Sequence, residues 1–221
     1  MDRREKLKES FLHFLRTMGD LMLLNWLLFF CCLPVVTLGP ACCATYSVTL
    51  RLARGEHCHT VRCFFQAFRE NFKKGLVLGL IAIVLAVLSV GDYLFALGLT
   101  GSMQKVYTAL AVLLLAVLLT FAGYGFALQA MFENPLKVQI KNAFTLAFVS
   151  PGKTLMIWLI SIFPLAAYFV LPDYVIAMLG FLYLIFGLSG PFYLNSRLLR
   201  DIFDKVNGRP VRPLPDGEEE E

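Results

Sequence analysis

The chain has 221 residues, of which 58% are hydrophobic and 16% are charged. Its mean hydropathy of +0.68 exceeds that of ordinary soluble domains of this size, which excludes a water-soluble globular fold. The net charge of +4 comes from short basic stretches, which favours anionic lipid headgroups over nucleic acid as the counter-charge. We therefore expect a single integral membrane domain over residues 1–206, surrounded by membrane lipids and with no nucleic acid partner.

The cations divide the chain into alternating segments. All but one of the 20 Lys and Arg residues lie in four stretches, residues 3–16, 51–74, 137–153 and 197–212, and the exception is Lys105. Because moving a cation outward against the membrane potential is opposed, Lys and Arg stay on the cytoplasmic side in short loops. The pattern predicts a multi-pass protein of the bacterial cytoplasmic membrane whose two ends and basic loops face the cytoplasm.

The first segment, residues 1–19, has the pattern of an amphipathic helix. Its apolar side chains recur at helical spacing between charged ones, which predicts a helix lying in the membrane interface. The charged region is too long and amphipathic for a cleaved signal sequence, so we expect this segment to be retained. Asp20 marks the point at which the chain enters the membrane.

Prolines interrupt the next apolar segment, residues 20–54. Pro34, Gly39 and Pro40 leave two legs of about 14 residues, and at 1.5 Å per residue each leg reaches about 21 Å, against a hydrocarbon core of about 30 Å. A re-entrant hairpin fits these lengths better than two spans, which would need a thinned bilayer. Broken backbone at this depth must be buried or line a wet cavity, so the break around Thr37 is either functional backbone or a packed turn.

Four later runs satisfy the length of roughly 17 to 25 apolar residues that a spanning helix needs. They are residues 75–97, 106–132, 155–171 and 175–194. The turns between the members of each pair are short and nearly free of cations, which predicts two hairpins whose turns face outward. The fold class is thus all-α and polytopic. The tail, residues 207–221, is rich in proline and glutamate and is predicted to be disordered.

Amphipathic helices are also predicted in the basic loops, at residues 58–74 and 136–149. The first of them has an apolar stripe that we expect to dock on lipid or on a partner protein. Its residues are Val61, Phe64, Phe65, Phe68 and Phe72. Both loops precede a predicted hairpin and share the order of elements, which favours a parallel internal repeat over coincidence between two amphipathic sequences.

The predicted spans hold no ionisable side chain at mid-membrane depth, which counts against an ion-coupled carrier. Asn25 and Gln129 are expected to bond to neighbouring helices rather than to a ligand. Tyr46 and Thr49 share a helix face with Cys42 and are candidates to line a small cavity.

The residues that resemble a metal site are adjacent in the chain. They are His57, Cys58 and His59, with Cys63 following, and neighbouring side chains on a helix point apart, so we expect no metal there. The chain also has no recognisable nucleophile motif or phosphate-binding loop. These patterns predict a protein that is not an enzyme and has no cofactor.

The motifs Gly19-Asp20-Leu21, residues 24–27, the run Leu-Pro-Val-Val-Thr-Leu-Gly-Pro-Ala at residues 33–41, and residues 44–50 and 64–73 resemble the YesL-like family of bacterial membrane proteins. The genes of that family tend to lie beside sugar-uptake ABC transporters and polysaccharide-degrading enzymes. The resemblance implies an accessory or component of carbohydrate import, with an ABC permease or ATPase as partner, and it supplies no catalytic residues. The doubled cysteines and the acidic tail depart from what we know of the family.

Two other functions stay open from the sequence. One is a self-contained facilitator or channel for a small neutral solute, gated at the proline break. The other is an intramembrane hydrolase or transferase, which the missing acid, base or nucleophile set disfavours. The sequence also leaves open whether the chain forms a homo-oligomer.

Overall fold

The computed structural model describes residues 3–56, 58–132, 134–170, 172, 180, 183 and 185–207. The regular structure of these residues is entirely helical, which confirms the all-α fold. The helices are α1 (Arg3–Cys32), α2 (Leu38–Ala53), α3 (Thr60–Glu70), α4 (Phe72–Leu97), α5 (Ser102–Thr120), α6 (Phe126–Met131), α7 (Leu136–Val149), α8 (Pro151–Val170) and α9 (Ser189–Asn207). A 3-10 turn at Val35–Thr37 precedes α2, and a π-helical turn at Phe121–Gly125 joins α5 to α6.

Four helical stretches in the described residues are long and apolar enough to cross a membrane. They are Phe14–Cys32, Val35–Ala53, Phe72–Leu97 and Ser102–Met131. The last two coincide with the spans predicted at residues 75–97 and 106–132. Helix α7 and the start of α8 also pass this test as a pair, but they are bent by 106° at Ser150. The chain is therefore built as a polytopic membrane protein.

The predicted boundary between an interfacial helix at residues 1–19 and a first leg is wrong, because α1 runs unbroken from Arg3 to Cys32. Gly19 lies inside α1, and a single helical glycine costs only about 1 kcal/mol relative to alanine. The two legs of the hairpin are also longer than expected. Each candidate span has 19 residues and reaches about 28 Å, so the length argument against two spans no longer holds. Whether the legs cross or re-enter stays a prediction.

The span predicted at residues 175–194 is interrupted, because a turn at Gly187 and Leu188 precedes α9. Its residues 175–179, 181, 182 and 184 lie outside the described residues, as does the predicted tail from residue 208 onward. The predicted interfacial helix at residues 58–74 is also shorter than expected: α3 ends at Glu70, and residues 72–74 form the first turn of α4. Leu155 lies in the second turn of α8 rather than at its start.

Helix α2 is the centre of the described bundle. All of its residues from Gly39 to Ala53 are buried, and it contacts α1, α3, α4, α6 and α9. It is the least apolar of the candidate spans and the most enclosed, since a helix that faces other helices can carry hydroxyl groups that lipid would not tolerate. Thr45 and Thr49 satisfy their hydroxyls by bonding to carbonyls one turn earlier in α2.

The proline break packs its backbone directly on α4. Gly39 lies against Gly75 and Gly79, and a Cβ atom added to Gly79 would be only 2.8 Å from the Gly39 Cα. Gly75 and Gly79 have the i, i+4 spacing of small residues that lets two membrane helices approach closely. Of the two alternatives for the break, the structure therefore has the packed turn, while residues 33–36 remain exposed at its tip.

The long span from Ser102 to Met131 is not a regular α-helix. At its π-helical turn, Gln139 of α7 donates a hydrogen bond from Nε2 to the carbonyl of Gly125 (2.9 Å). Gly123 in the same turn faces α8, where a Cβ atom would lie 2.7 Å from Cγ2 of Ile157. The turn therefore brings α7 and α8 onto the C-terminal half of this span.

We expect Gly79→Ala to destabilise the fold by about 1–3 kcal/mol, because the new methyl group must push α2 away from α4. Gly91→Ala is the matched control in the same helix, since a Cβ at Gly91 meets no atom within 4 Å. Reversible unfolding in mixed detergent micelles measures both. Equal stability of the two variants would contradict the close contact.

Candidate functional site at the basic end

Hydrogen bonds join the basic stretches at one end of the helix bundle, which we call the basic end. The side chains involved come from the starts of α4 and α8 and from the middle of α9, and each donates to a backbone carbonyl in or beside another basic stretch. The bonds run from Lys74 Nζ to Asn134 O (3.4 Å), from Lys153 Nζ to Leu198 O (3.2 Å) and from Arg200 Nη1 to Ala53 O (2.7 Å). Three basic stretches that are far apart in the sequence are thus joined in one layer of the fold.

At the basic end, polar side chains form hydrogen bonds at the joint between α3 and α4. Asn71, between α3 and α4, donates from Nδ2 to Ala67 O (3.0 Å) and accepts at Oδ1 from Gln129 Nε2 (2.9 Å). Gln129 therefore makes the inter-helix bond expected of it.

A different side chain, Thr154, forms the hydrogen bonds at the joint between α7 and α8. The Thr154 hydroxyl is within 3.0 Å of the carbonyls of Ala147 and Ser150 and 2.9 Å from the Tyr124 hydroxyl. At both joints a short helix precedes a long one, and a polar side chain forms hydrogen bonds across the joint. The shared order of elements supports the predicted repeat, although the side chains at the two joints differ.

The candidate residues of α1 bond to other helices. The Asp20 carboxylate accepts a hydrogen bond from the Thr60 hydroxyl (2.6 Å). Asn25 Oδ1 accepts from the backbone N–H groups of Leu188 (2.9 Å) and Ser189 (3.2 Å), at the first turn of α9. This is the packing role expected for Asn25, and it explains why the chain turns at residues 187 and 188 instead of continuing as a span.

The candidate residues of the break and of α2 are packed as well. The Thr37 hydroxyl reaches the carbonyls of Cys31 and Pro34, which ties the end of α1 to the 3-10 turn, and Pro40 is buried next to Gly39. Tyr46 contacts the Phe192 ring at a centroid distance of 4.7 Å, and the Thr49 hydroxyl is 2.7 Å from that of Ser196. Tyr46 and Thr49 therefore hold α9 against α2.

The stripe expected to dock on a partner is only partly uncovered. Phe64 is fully buried against α1 and α2, so a docking role for it is wrong; Phe68 is half-buried and Phe72 is 38% exposed. Helical spacing identified an apolar face but could not say that two other helices cover part of it. Val61 and Phe65, which belong to the same stripe, are exposed.

Sequence reasoning missed a cavity of about 410 Å³ at the basic end. It lies between the first half of α1, the end of α2 and α9, and three arginines from two basic stretches reach it. Its lining residues are Phe14, Thr17, Met18, Leu52, Ala53, Arg54, Gly55, Tyr193, Arg197 and Arg200. The spacing of Arg197 and Arg200, one helical turn apart, was the available signal, but nothing in the sequence paired them with Arg54.

Cys58, one of the residues that resemble a metal site, has a raised pKa. Burial, helped by the contact with the Cys63 thiol, raises the pKa of Cys58 to about 12, although Arg51 nearby acts in the opposite direction. A thiol held in its neutral form is a poor metal ligand, since metals bind the thiolate. His57 lies outside the described residues.

The fold and the basic end define an all-α polytopic membrane protein whose polar residues mainly join helices. Residues 21–93 match a family described as "Protein of unknown function, DUF624". This family is the YesL-like family, and the matched residues contain most of the motifs that carry the resemblance. No curated protein and no solved structure matches the chain.

We expect Asn25→Ala to destabilise the protein by about 1–3 kcal/mol, because it leaves two backbone N–H groups of α9 without their acceptor. Thr108→Ala is the control, since this hydroxyl bonds only within its own exposed helix turn and should matter by less than about 0.5 kcal/mol. Unfolding in mixed micelles gives both values. An Asn25→Ala protein as stable as the control would contradict the capping role.

At pH 8, we expect iodoacetamide to label Cys58 at least about tenfold more slowly in the folded than in the unfolded protein, because only the thiolate reacts. The folded pKa lies above the ordinary value of 9.0, so this thiol contributes stability below pH 9 that is lost as the pH rises toward 12. Site-resolved mass spectrometry measures the labelling. Equal rates in the two states would show that Cys58 is not protected.

Proposed function

We propose that this protein is a non-enzymatic membrane component or accessory of a carbohydrate-uptake system of the ABC type, with its basic end on the cytoplasmic side. The resemblance to YesL-like proteins, whose genes accompany sugar importers, supports the type of partner. The uncovered apolar side chains at the basic end are the observation that carries the proposal, and they support a docking role there.

The first of these side chains lie on the outer face of α3. Val61 is 45% and Phe65 is 43% exposed, although Cys63 and Phe64 between them are buried in the core. Arg69, one helical turn after Phe65, is an exposed cation beside this face. An amphipathic helix with apolar anchors and a basic rim is suited to a groove on a permease or an ATPase subunit.

The second group lies at the joint between α7 and α8. Phe148 is 81% and Val149 is 72% exposed, directly before the 106° bend. Because the order of elements repeats, these residues occupy a place comparable to the end of α3. Lipid contact is the competing explanation for both groups, and it predicts no specific protein partner.

The proline break gives little support to a self-contained channel. Gly39 is in backbone contact with Gly75 and Gly79, so a path for a solute at this point would require α2 and α4 to separate. The accessory role requires no such movement.

Affinity isolation of the full chain from membranes of its own organism in mild detergent tests the proposal. We expect an ABC permease or ATPase to co-purify with the wild-type chain and to be reduced about tenfold by Val61→Ser combined with Phe65→Ser, since few anchors dominate such interfaces. Val87→Ser combined with Leu94→Ser is the control, because both residues are exposed on α4 away from the basic end.

Retention of the partner by both double variants would contradict docking through α3. Flux of a neutral sugar into proteoliposomes that hold this chain alone, without any co-purifying transporter, would favour the facilitator instead. Labelling of Val61→Cys by a membrane-impermeant reagent added outside intact cells would contradict the proposed orientation.

A further inference from the structure

The lining of the cavity at the basic end combines positive charge with apolar surface. Arg54, Arg197 and Arg200 line it, and no carboxylate is among its lining residues. Phe14, Met18 and Leu52 contribute apolar surface to the same lining. A ligand that fits this surface has an anionic group joined to a less polar one.

The ends of two candidate spans indicate the level of the cavity relative to the bilayer. Phe14–Cys32 begins at Phe14, and Val35–Ala53 ends at Ala53, and both of these terminal residues line the cavity. The cavity thus lies where apolar sequence gives way to basic sequence. In a bilayer this is the level of the lipid phosphates, whether the two legs cross the membrane or re-enter it.

The arginines differ in how much of their hydrogen-bonding capacity is used. Arg200 is held by its bond to Ala53 O (2.7 Å) and by a 3.5 Å ion pair with Asp201, which lies outside the cavity. Arg197 forms no hydrogen bond or ion pair with any residue that the structure describes. Its guanidinium group is therefore available to an incoming anion.

We infer that this cavity binds a phosphate group, carried either by an anionic phospholipid or by a soluble phosphate. The planar fork of a guanidinium group matches two phosphate oxygens, which a lysine ammonium group does not. A volume of about 410 Å³ also exceeds what a bare phosphate needs, so the site has room for part of a molecule attached to it. The inference rests on the cavity alone and is independent of the carbohydrate-uptake proposal.

The lipid source is tested with the purified full chain in nanodiscs of mixed phosphatidylglycerol and phosphatidylcholine, followed by native mass spectrometry of the released complex. We expect the wild-type protein to retain phosphatidylglycerol in preference to phosphatidylcholine, and Arg197→Gln to lower that preference roughly fivefold. Arg197→Lys should restore part of it, because the charge returns without the fork. Arg62→Gln, an exposed arginine of α3 outside the cavity, is the matched control and should change nothing.

The soluble source is tested by titrating inorganic phosphate against the same proteins and measuring thermal unfolding. A rise in Tm that Arg197→Gln abolishes and Arg62→Gln keeps, with no preference among lipids, would support a soluble phosphate. Equal retention of both lipids together with no effect of phosphate on Tm would overturn the inference. An equal loss in Arg62→Gln and Arg197→Gln would overturn it too, because it would show only general attraction between cations and anionic lipid.

Discussion

The enclosure of α2 by other helices is the constraint on which the described fold depends. A helix surrounded on all sides must offer small or self-satisfied side chains, and α2 does so through its alanines, cysteines and hydroxyl groups. Its distance from α4 is then set by backbone contact at Gly39 rather than by side-chain packing. One apolar cluster of the core joins α2 to α1 and α3, and the other joins α2 to helices that include α4, α6 and α9, so the two clusters meet along this one helix.

The polar side chains that remain are used to join helices. Asn25 fixes the start of α9, Asn71 and Gln129 bind α4 to α6, and Thr154 closes the angle between α7 and α8. Lysine and arginine side chains add bonds to carbonyl oxygens at the basic end. In surroundings where water is scarce, a backbone group without a partner is costly, so these contacts account for most of the side chains that looked functional in the sequence. The arginine-lined cavity is the exception, because its polar groups are not all consumed by the fold.

The sequence was sufficient to predict features that depend on the local composition of a long segment. Apolar run length predicted α4 and the span of α5 and α6, and the distribution of cations predicted the residues that gather at the basic end. It was insufficient where a distant residue decides the outcome. The turn before α9 depends on the side-chain amide of Asn25, more than 160 positions earlier in the chain. The burial of Phe64 depends on contacts with α1 and α2, and the helical period of an apolar stripe does not tell whether lipid or another helix covers it. The same applies to Arg54 and Arg197, which only the tertiary fold brings to one cavity.

The π-helical turn between Thr120 and Phe126 has a consequence for how homologous sequences can vary in length. Such a turn holds one residue more than a regular α-helix would, so a homologue that lacks a single residue here would continue as an ordinary helix. Everything beyond the deletion would rotate by about 100° relative to the N-terminal half of the span. Leu128 would then leave the core, and Gln129 would lose Asn71. Gaps at this position are therefore expected to be accompanied by compensating changes at residues 71 and 139, which makes the turn a sensitive marker of descent.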